Sequence, residues 1–182
     1  FDVGRAAHTL VLGAGDPFIA CPADLLSVDG RMITTRAKDW AIDQRAAGRT
    51  PLTPTDYDAV HRMAEAILEH GRAAELFTDP DRQPEVSAFC EIVPGLWLRS
   101  RFDLLGGELT DFKTAADPHP DAFRRSAWSY GYHVQDVAYR RAWERVTGVS
   151  AQPMTFVVVG KEPPHLVSIC SLDLDFERFG DE

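Results

Sequence analysis

Residues 96–105 alternate strictly between two faces. Leu96, Leu98, Ser100, Phe102 and Leu104 fall on one; Trp97, Arg99, Arg101, Asp103 and Leu105 fall on the other. A period of two means a strand with one buried and one polar face. Pro94-Gly95 before it and Gly106-Gly107 after it are turn signals. The next strand, Leu109 to Thr114, sets Phe112 on one face and Asp111 and Lys113 on the other. These two runs predict a β-hairpin.

Helical spacing governs much of the remainder. A helix is predicted over Val3–Leu12, and another over Thr35–Ala47, capped by Thr34 or Thr35 and stopped by Gly48. Thr53 or Thr55 caps a third that runs to about His70, with Tyr57, Val60, Ala64, Ile67 and Leu68 on its apolar face. Shorter or later helices are expected over Arg72–Phe77, Asp121–Ser129 and Gly131–Val146, the last stopped by Gly148. Strands are expected at Phe18–Cys21, Glu85–Val93, Met154–Gly160 and His165–Leu172, with Asp79–Pro84 as a loop. The pattern is that of one α/β domain, a mixed central sheet flanked by helices. Gly13-Ala14-Gly15 follows a helical segment and precedes Asp16-Pro17, so it reads as a helix stop and not as a nucleotide-binding loop.

The hairpin register decides where the charges meet. A two-residue loop would pair Asp103 with Thr110 and send Asp111 to the opposite face. A three-residue loop, Gly106-Gly107-Glu108, pairs Asp103 with Asp111 and Phe102 with Phe112, with a left-handed glycine in the loop. The three-residue register is favoured, because it buries both phenylalanines and places both aspartates together. Adjacent carboxylates repel unless a cation or a proton sits between them. Scattered charges on a solvated strand face are the plainer reading of these residues alone.

Composition changes the picture modestly. The chain has 182 residues with 45% apolar content, enough for one proper core. No apolar run approaches a membrane span, and no signal peptide is evident. The start at Phe1-Asp2, at the edge of a helix, is consistent with a domain trimmed from a longer protein. Net charge is −9, which argues against a general DNA-coating protein, since phosphate contacts need cations. A local basic funnel could still exist. Arg99 and Arg101 share the strand face of Asp103, whereas Arg124, Arg125, Arg140 and Arg141 read as solvated surface arginines. Three cysteines at unrelated spacings, Cys21, Cys90 and Cys170, point to a reducing, cytoplasmic setting without a disulfide framework. Zinc is disfavoured, because no Cys-x-x-Cys occurs.

Asp103, then Asp111-Phe112-Lys113, resembles the core of the PD-(D/E)XK nuclease superfamily: an acidic residue, a hairpin, then acidic-x-Lys. Gln135 and Tyr139 are four apart, on one helix face, and a Gln-x-x-x-Tyr helix in this place resembles the RecB-type branch. The run Tyr130-Gly131-Tyr132-His133-Val134-Gln135-Asp136 resembles the RecE-like (exonuclease VIII) group. Gly4-Arg5-Ala6-Ala7-His8 is similar to the Gly-x-x-x-His motif of that branch, whose histidine reaches the metal. The motifs stand in family order over roughly residues 3 to 160.

The resemblance implies a restriction-endonuclease-like fold and a metal-dependent exonuclease acting on linear double-stranded DNA, 5′ to 3′, in recombination or repair of phage or prophage type. It implies Mg²⁺ or Mn²⁺ held by Asp103, Asp111, His8 and the Phe112 carbonyl, as suits hard oxygen donors. Lys113 would orient or deprotonate the attacking water; the base role needs a pKa well below the lysine reference of about 10.4. Glu85 or Glu91 would be the upstream acidic residue. Gln135, Tyr139, Arg99 and Arg101 would contact DNA or order the site. The implied partners are an annealing protein of RecT type and further copies of the chain, as a trimer or tetramer. The three cysteines exclude the four-cysteine iron–sulfur cluster of some RecB-type relatives. Two other readings stay open: a catalytically silent module that binds DNA ends or protein, and an endonuclease of the same fold.

Overall fold

The computed structural model describes residues 2–172. They fall into two compact units that divide between Ala66 and Ile67.

The first unit opens with α1 (Asp2–Leu12), β1 (Phe18–Ala20) and a single 3-10 turn at Ala23–Leu25. Next come α2 (Thr35–Ala46), β2 (Thr50–Leu52) and α3 (Pro54–Glu69), in which the boundary between the units falls. Strand β2 is absent from the sequence reading, since three residues that include a proline are too short for a period-two signal. It pairs in parallel with β1, Phe18 against Thr50 and Ala20 against Leu52, and α2 forms the crossover. Thr34 caps α2 by accepting the Ala37 amide at 3.1 Å. Thr53 caps α3 by accepting the Asp56 amide, also at 3.1 Å. Each such cap contributes about 1 kcal/mol. The buried stripe of α3 is Val60, Met63 and Ile67, at i, i+3 and i+7. Leu68 was expected in that stripe and is instead 57% exposed, because it stands about 100° further round than Ile67.

The second unit holds α4 (Gly71–Thr78), β3 (Gln83–Val93), β4 (Leu96–Leu105), β5 (Leu109–Ala115), α5 (Pro120–Tyr130), α6 (Tyr132–Thr147), β6 (Thr155–Gly160) and β7 (Val167–Cys170). The sheet order is β3-β4-β5-β6-β7. Strands β5 and β6 pair in parallel and the other neighbours are antiparallel, so the sheet is mixed. Strand β6 is buried along its whole length, as its run Phe156-Val157-Val158-Val159 requires. Across the parallel pair, Asp111 stands beside Phe156 and Phe112 beside Val157. Phe156 meets Phe123 of α5 and Tyr132 of α6, whereas Phe112 meets Phe77 of α4 edge-on at 6.1 Å. Helices α5 and α6 therefore cover one face and α4 the other. Gly131, at φ 71°, ends α5 and starts α6, a left-handed position suited to glycine. Strand β7 is shorter than the expected His165–Leu172. His165 lies in the preceding turn at φ 56°, with its Nδ1 2.9 Å from the Gly160 carbonyl.

The hairpin has the three-residue loop Gly106-Gly107-Glu108, and its paired residues are Leu104 with Thr110 and Leu105 with Leu109. The left-handed glycine expected in that loop is not there; it is Gly95, at φ 84°, in the turn between β3 and β4. Phe102 and Phe112 are both buried, but they do not share a face as the register reading had them. Phe102 packs edge-on against Tyr139 and Trp143 of α6, on the side of the sheet opposite Phe112. The β4–β5 pairing ends one residue away, where the Phe112 amide donates to the Asp103 carboxylate at 2.9 Å.

Candidate active site

Three neighbouring strands each bring one carboxylate to the same level of the sheet. Pro84 pairs with Leu104 and Val86 with Phe102, so Glu85 of β3 and Asp103 of β4 share the rung between. A carboxylate oxygen of Glu85 lies within 4.8 Å of one of Asp103. Glu85 sits at φ 58°, a left-handed backbone that costs an L side chain about 1–2 kcal/mol. The third carboxylate, Asp111 of β5, was expected on a polar strand face. It is 1% exposed, because α6 covers that face of β5.

Helix α6 closes the site with side chains at i, i+3 and i+7. Gln135 Nε2 donates to Asp111 Oδ1 at 2.5 Å. Tyr139 packs on Phe102 with ring centroids 5.2 Å apart, and burial raises its pKa. Tyr132 stands 4.9 Å below the Lys113 ammonium, a cation–π contact. Tyr132 was not singled out in the sequence reading. Its signal was the helical spacing to Gln135 and Tyr139.

The charges are only partly compensated. Lys113 pairs with Asp111 Oδ2, and Arg101 pairs with Glu85. Burial pushes the Asp111 carboxyl up to about 6, and Asp103 adds to the rise; Lys113 and Gln135 oppose it. Burial pulls Lys113 down, but Asp111 and Asp103 more than offset that and leave its pKa raised. A raised lysine pKa is the reverse of what the expected base role requires. A protonated Lys113 neutralises charge and donates hydrogen bonds.

The remaining predicted residues are spread out. Arg99 is exposed and lies 5.7 Å over the Phe89 ring. Glu91, the rival of Glu85, accepts the Gly95 amide at 2.6 Å and serves the turn. His8 is partly buried on α1. Arg140 is tied to Asp136 and to the Ala151 carbonyl, a structural role. Asp136 in turn accepts the Met154 amide at 2.8 Å.

The donor set fits a hard divalent cation. It consists of carboxylate oxygens, two of them within 4.8 Å of each other, beside a third carboxyl whose ionised form the protein only partly supports. Among the described residues no helix is long and apolar enough to cross a membrane.

Comparison with known proteins bears on the fold and the family. The fold is similar to that of "Putative exonuclease" from Eubacterium rectale, a crystal structure, with a TM-score of 0.60 and 14% sequence identity. The match covers 80% of this chain and 56% of that one, so the chain spans little more than half of that protein's length. A search of curated proteins finds no match. The model of the family described as PDDEXK-like domain of unknown function (DUF3799) matches residues 1–180, and the chain belongs to that family.

Proposed function

We infer that this protein is a metal-dependent exodeoxyribonuclease that degrades linear double-stranded DNA from 5′ to 3′, in the manner of RecE-like nucleases. The observation that carries the reading is the buried Asp111 carboxylate, held between Lys113 and Gln135 and raised by Asp103, whose carboxylate neighbours that of Glu85. Burying an aspartate at such cost is poor structural chemistry, and it is good chemistry for a divalent cation. Asp103 and Asp111 would hold Mg²⁺ or Mn²⁺; Glu85 would hold a second cation or a bound water. His8 and the Phe112 carbonyl join the set on the family resemblance alone.

A bound cation supplies Lewis-acid polarisation of the phosphate and a water of lowered pKa. The rest is the chain's own work. Gln135 fixes the orientation of Asp111 through Oδ1. Lys113, charged and on the Asp111 side of the site, neutralises negative charge that develops on the phosphate and orients the attacking water. Arg101 compensates Glu85 and is freed for a DNA phosphate when Glu85 takes another partner. Tyr139 keeps α6 seated against Phe102. A role in DNA recombination or repair, a RecT-type annealing partner, assembly as a trimer or tetramer and a cytoplasmic setting complete the proposal. They come from the resemblance and from the scattered cysteines.

The test uses linear duplex DNA labelled at either end and closed circular DNA, with Mg²⁺, Mn²⁺ or EDTA. Loss of linear DNA alone, dependent on metal and abolished in Asp111→Asn and Lys113→Ala, is the expected result. The order in which 5′ and 3′ labels are released gives the polarity. Cutting of the circle would replace the exonuclease with an endonuclease. No cleavage by folded protein that binds metal would leave a binding module.

A further inference from the structure

Strand β5 does not end at the carboxylates. Past Lys113 it runs along a cavity of about 500 Å³, within the usual range for small-ligand sites. The polar wall of this cavity is cationic. Lys113, Arg125 and Lys161 line it against one carboxylate, Asp117. In a chain of net charge −9, three cations in one cavity run against the composition. Arg125, expected to be a solvated surface residue, is exposed, and it also lies on the wall that adjoins the candidate active site.

The fold places each of these groups. Helix α5 supplies Arg125 and, further along, Tyr130. The Lys161 amide donates to the Ala115 carbonyl at 2.8 Å, which anchors Lys161 just past the end of β5. Lys113 is committed to Asp111. Arg125 and Lys161 enter no ion pair among the described residues. The Tyr130 ring is 73% exposed and lies 5.8 Å from Tyr132, tilted by 31°.

Cations that follow a backbone beside exposed aromatic faces form the recognition pattern of a single nucleic-acid strand. A duplex, whose major groove alone is about 12 Å wide, does not fit a cavity of this volume, whereas one nucleotide does. We propose that the cavity binds one nucleotide of a separated DNA strand next to the phosphate under attack. Arg125 and Lys161 hold its phosphate, and its base stacks on Tyr130. The assignment rests on the nuclease reading for the direction in which the strand enters, but the binding it describes needs no cleavage.

Fluorescence anisotropy tests it with a short labelled oligothymidylate in EDTA, over a series of salt concentrations. Arg125→Ala with Lys161→Ala is expected to lower the slope of log affinity against log salt by about 0.7, the value for one phosphate no longer neutralised on a single strand. Tyr130→Ala is expected to weaken binding about tenfold, and Tyr130→Phe to restore it, because stacking needs the ring and not the hydroxyl. Melting curves matching the wild type show that these surface variants fold. Absence of strand binding by the wild type, or variants with unchanged affinity and slope, overturns the proposal. Cleavage assays on the same proteins separate the two readings. Strand binding that responds to these substitutions without any nuclease activity sinks the enzyme and leaves the cavity. A nuclease whose strand affinity ignores them does the reverse.

Discussion

Asp111 combines a chemical use with a stability cost. Its carboxyl is raised from 3.8 to about 6, chiefly by burial. The folded state then binds a proton more tightly than the unfolded chain, so stability falls as pH rises from about 4 to about 6 and is level above that. At about 1.36 kcal/mol for each unit of pKa, the decline is on the order of 3 kcal/mol. Lys113 limits it. Lys113→Met should push Asp111 higher and cost about 3 kcal/mol at pH 8, but much less at pH 5, where Asp111 carries its proton. Urea unfolding at the two pH values measures this; an equal cost at both would show that Asp111 is not the group responsible. Glu85 shows the same tension in its backbone. Glu85→Gly should keep or raise stability by up to about 1 kcal/mol, since glycine accepts a positive φ freely and the partner Arg101 is half exposed. The same variant should show a smaller rise in Tm on adding Mn²⁺ than the wild type shows.

At the scale of elements, the site depends on a ladder that stops and a helix that closes over it. The Phe112 amide donates to Asp103, and α6 lowers Gln135 onto Asp111. Gln135→Ala removes the neutral donor from a buried carboxylate, at about 1–3 kcal/mol. The loss should again be larger at pH 8 than at pH 5, and Gln135→Glu should be worse than Ala at pH 8 because it sets a second carboxylate against the first. Chemical denaturation of both variants gives the order. The hairpin, its three-residue loop and the alternation of β4 were legible because strand period and turn chemistry are local. The break at Asp103 was not, because it depends on which side chain captures one amide. Strand β2 and the burial of Asp111 were hidden for a related reason. Both depend on segments distant in sequence, Phe18–Ala20 for β2 and α6 for Asp111.

For the whole molecule, metal and fold are linked. A cation that binds the folded chain and not the unfolded one stabilises it by about 2.7 kcal/mol at one hundred times its Kd. Mg²⁺ or Mn²⁺ should therefore raise the Tm of the wild type, EDTA should reverse the rise, and Asp103→Asn or Asp111→Asn should abolish it. Protons compete for Asp111, so metal affinity should increase with pH up to about 6 and then level off. Calorimetric titration at several pH values checks this, and a pH-independent affinity would remove Asp111 from the ligand set. The net charge of −9 predicts weak binding to long duplex DNA without metal.

The sequence by itself determined the order of the elements other than β2, and the hairpin; the grouping of Asp103, Asp111, Lys113, Gln135 and Tyr139 is what the family resemblance implies. The elements and the hairpin follow from spacing, and spacing is written along the chain. Tertiary structure alone decided that Glu85 and not Glu91 shares a rung with Asp103, and that Arg101 answers Glu85 while Arg99 does not. It also decided that Arg125, Lys161 and Tyr130 line one cavity. Those choices depend on distances between segments far apart in sequence and on how much water each charge keeps, and only packing sets either one.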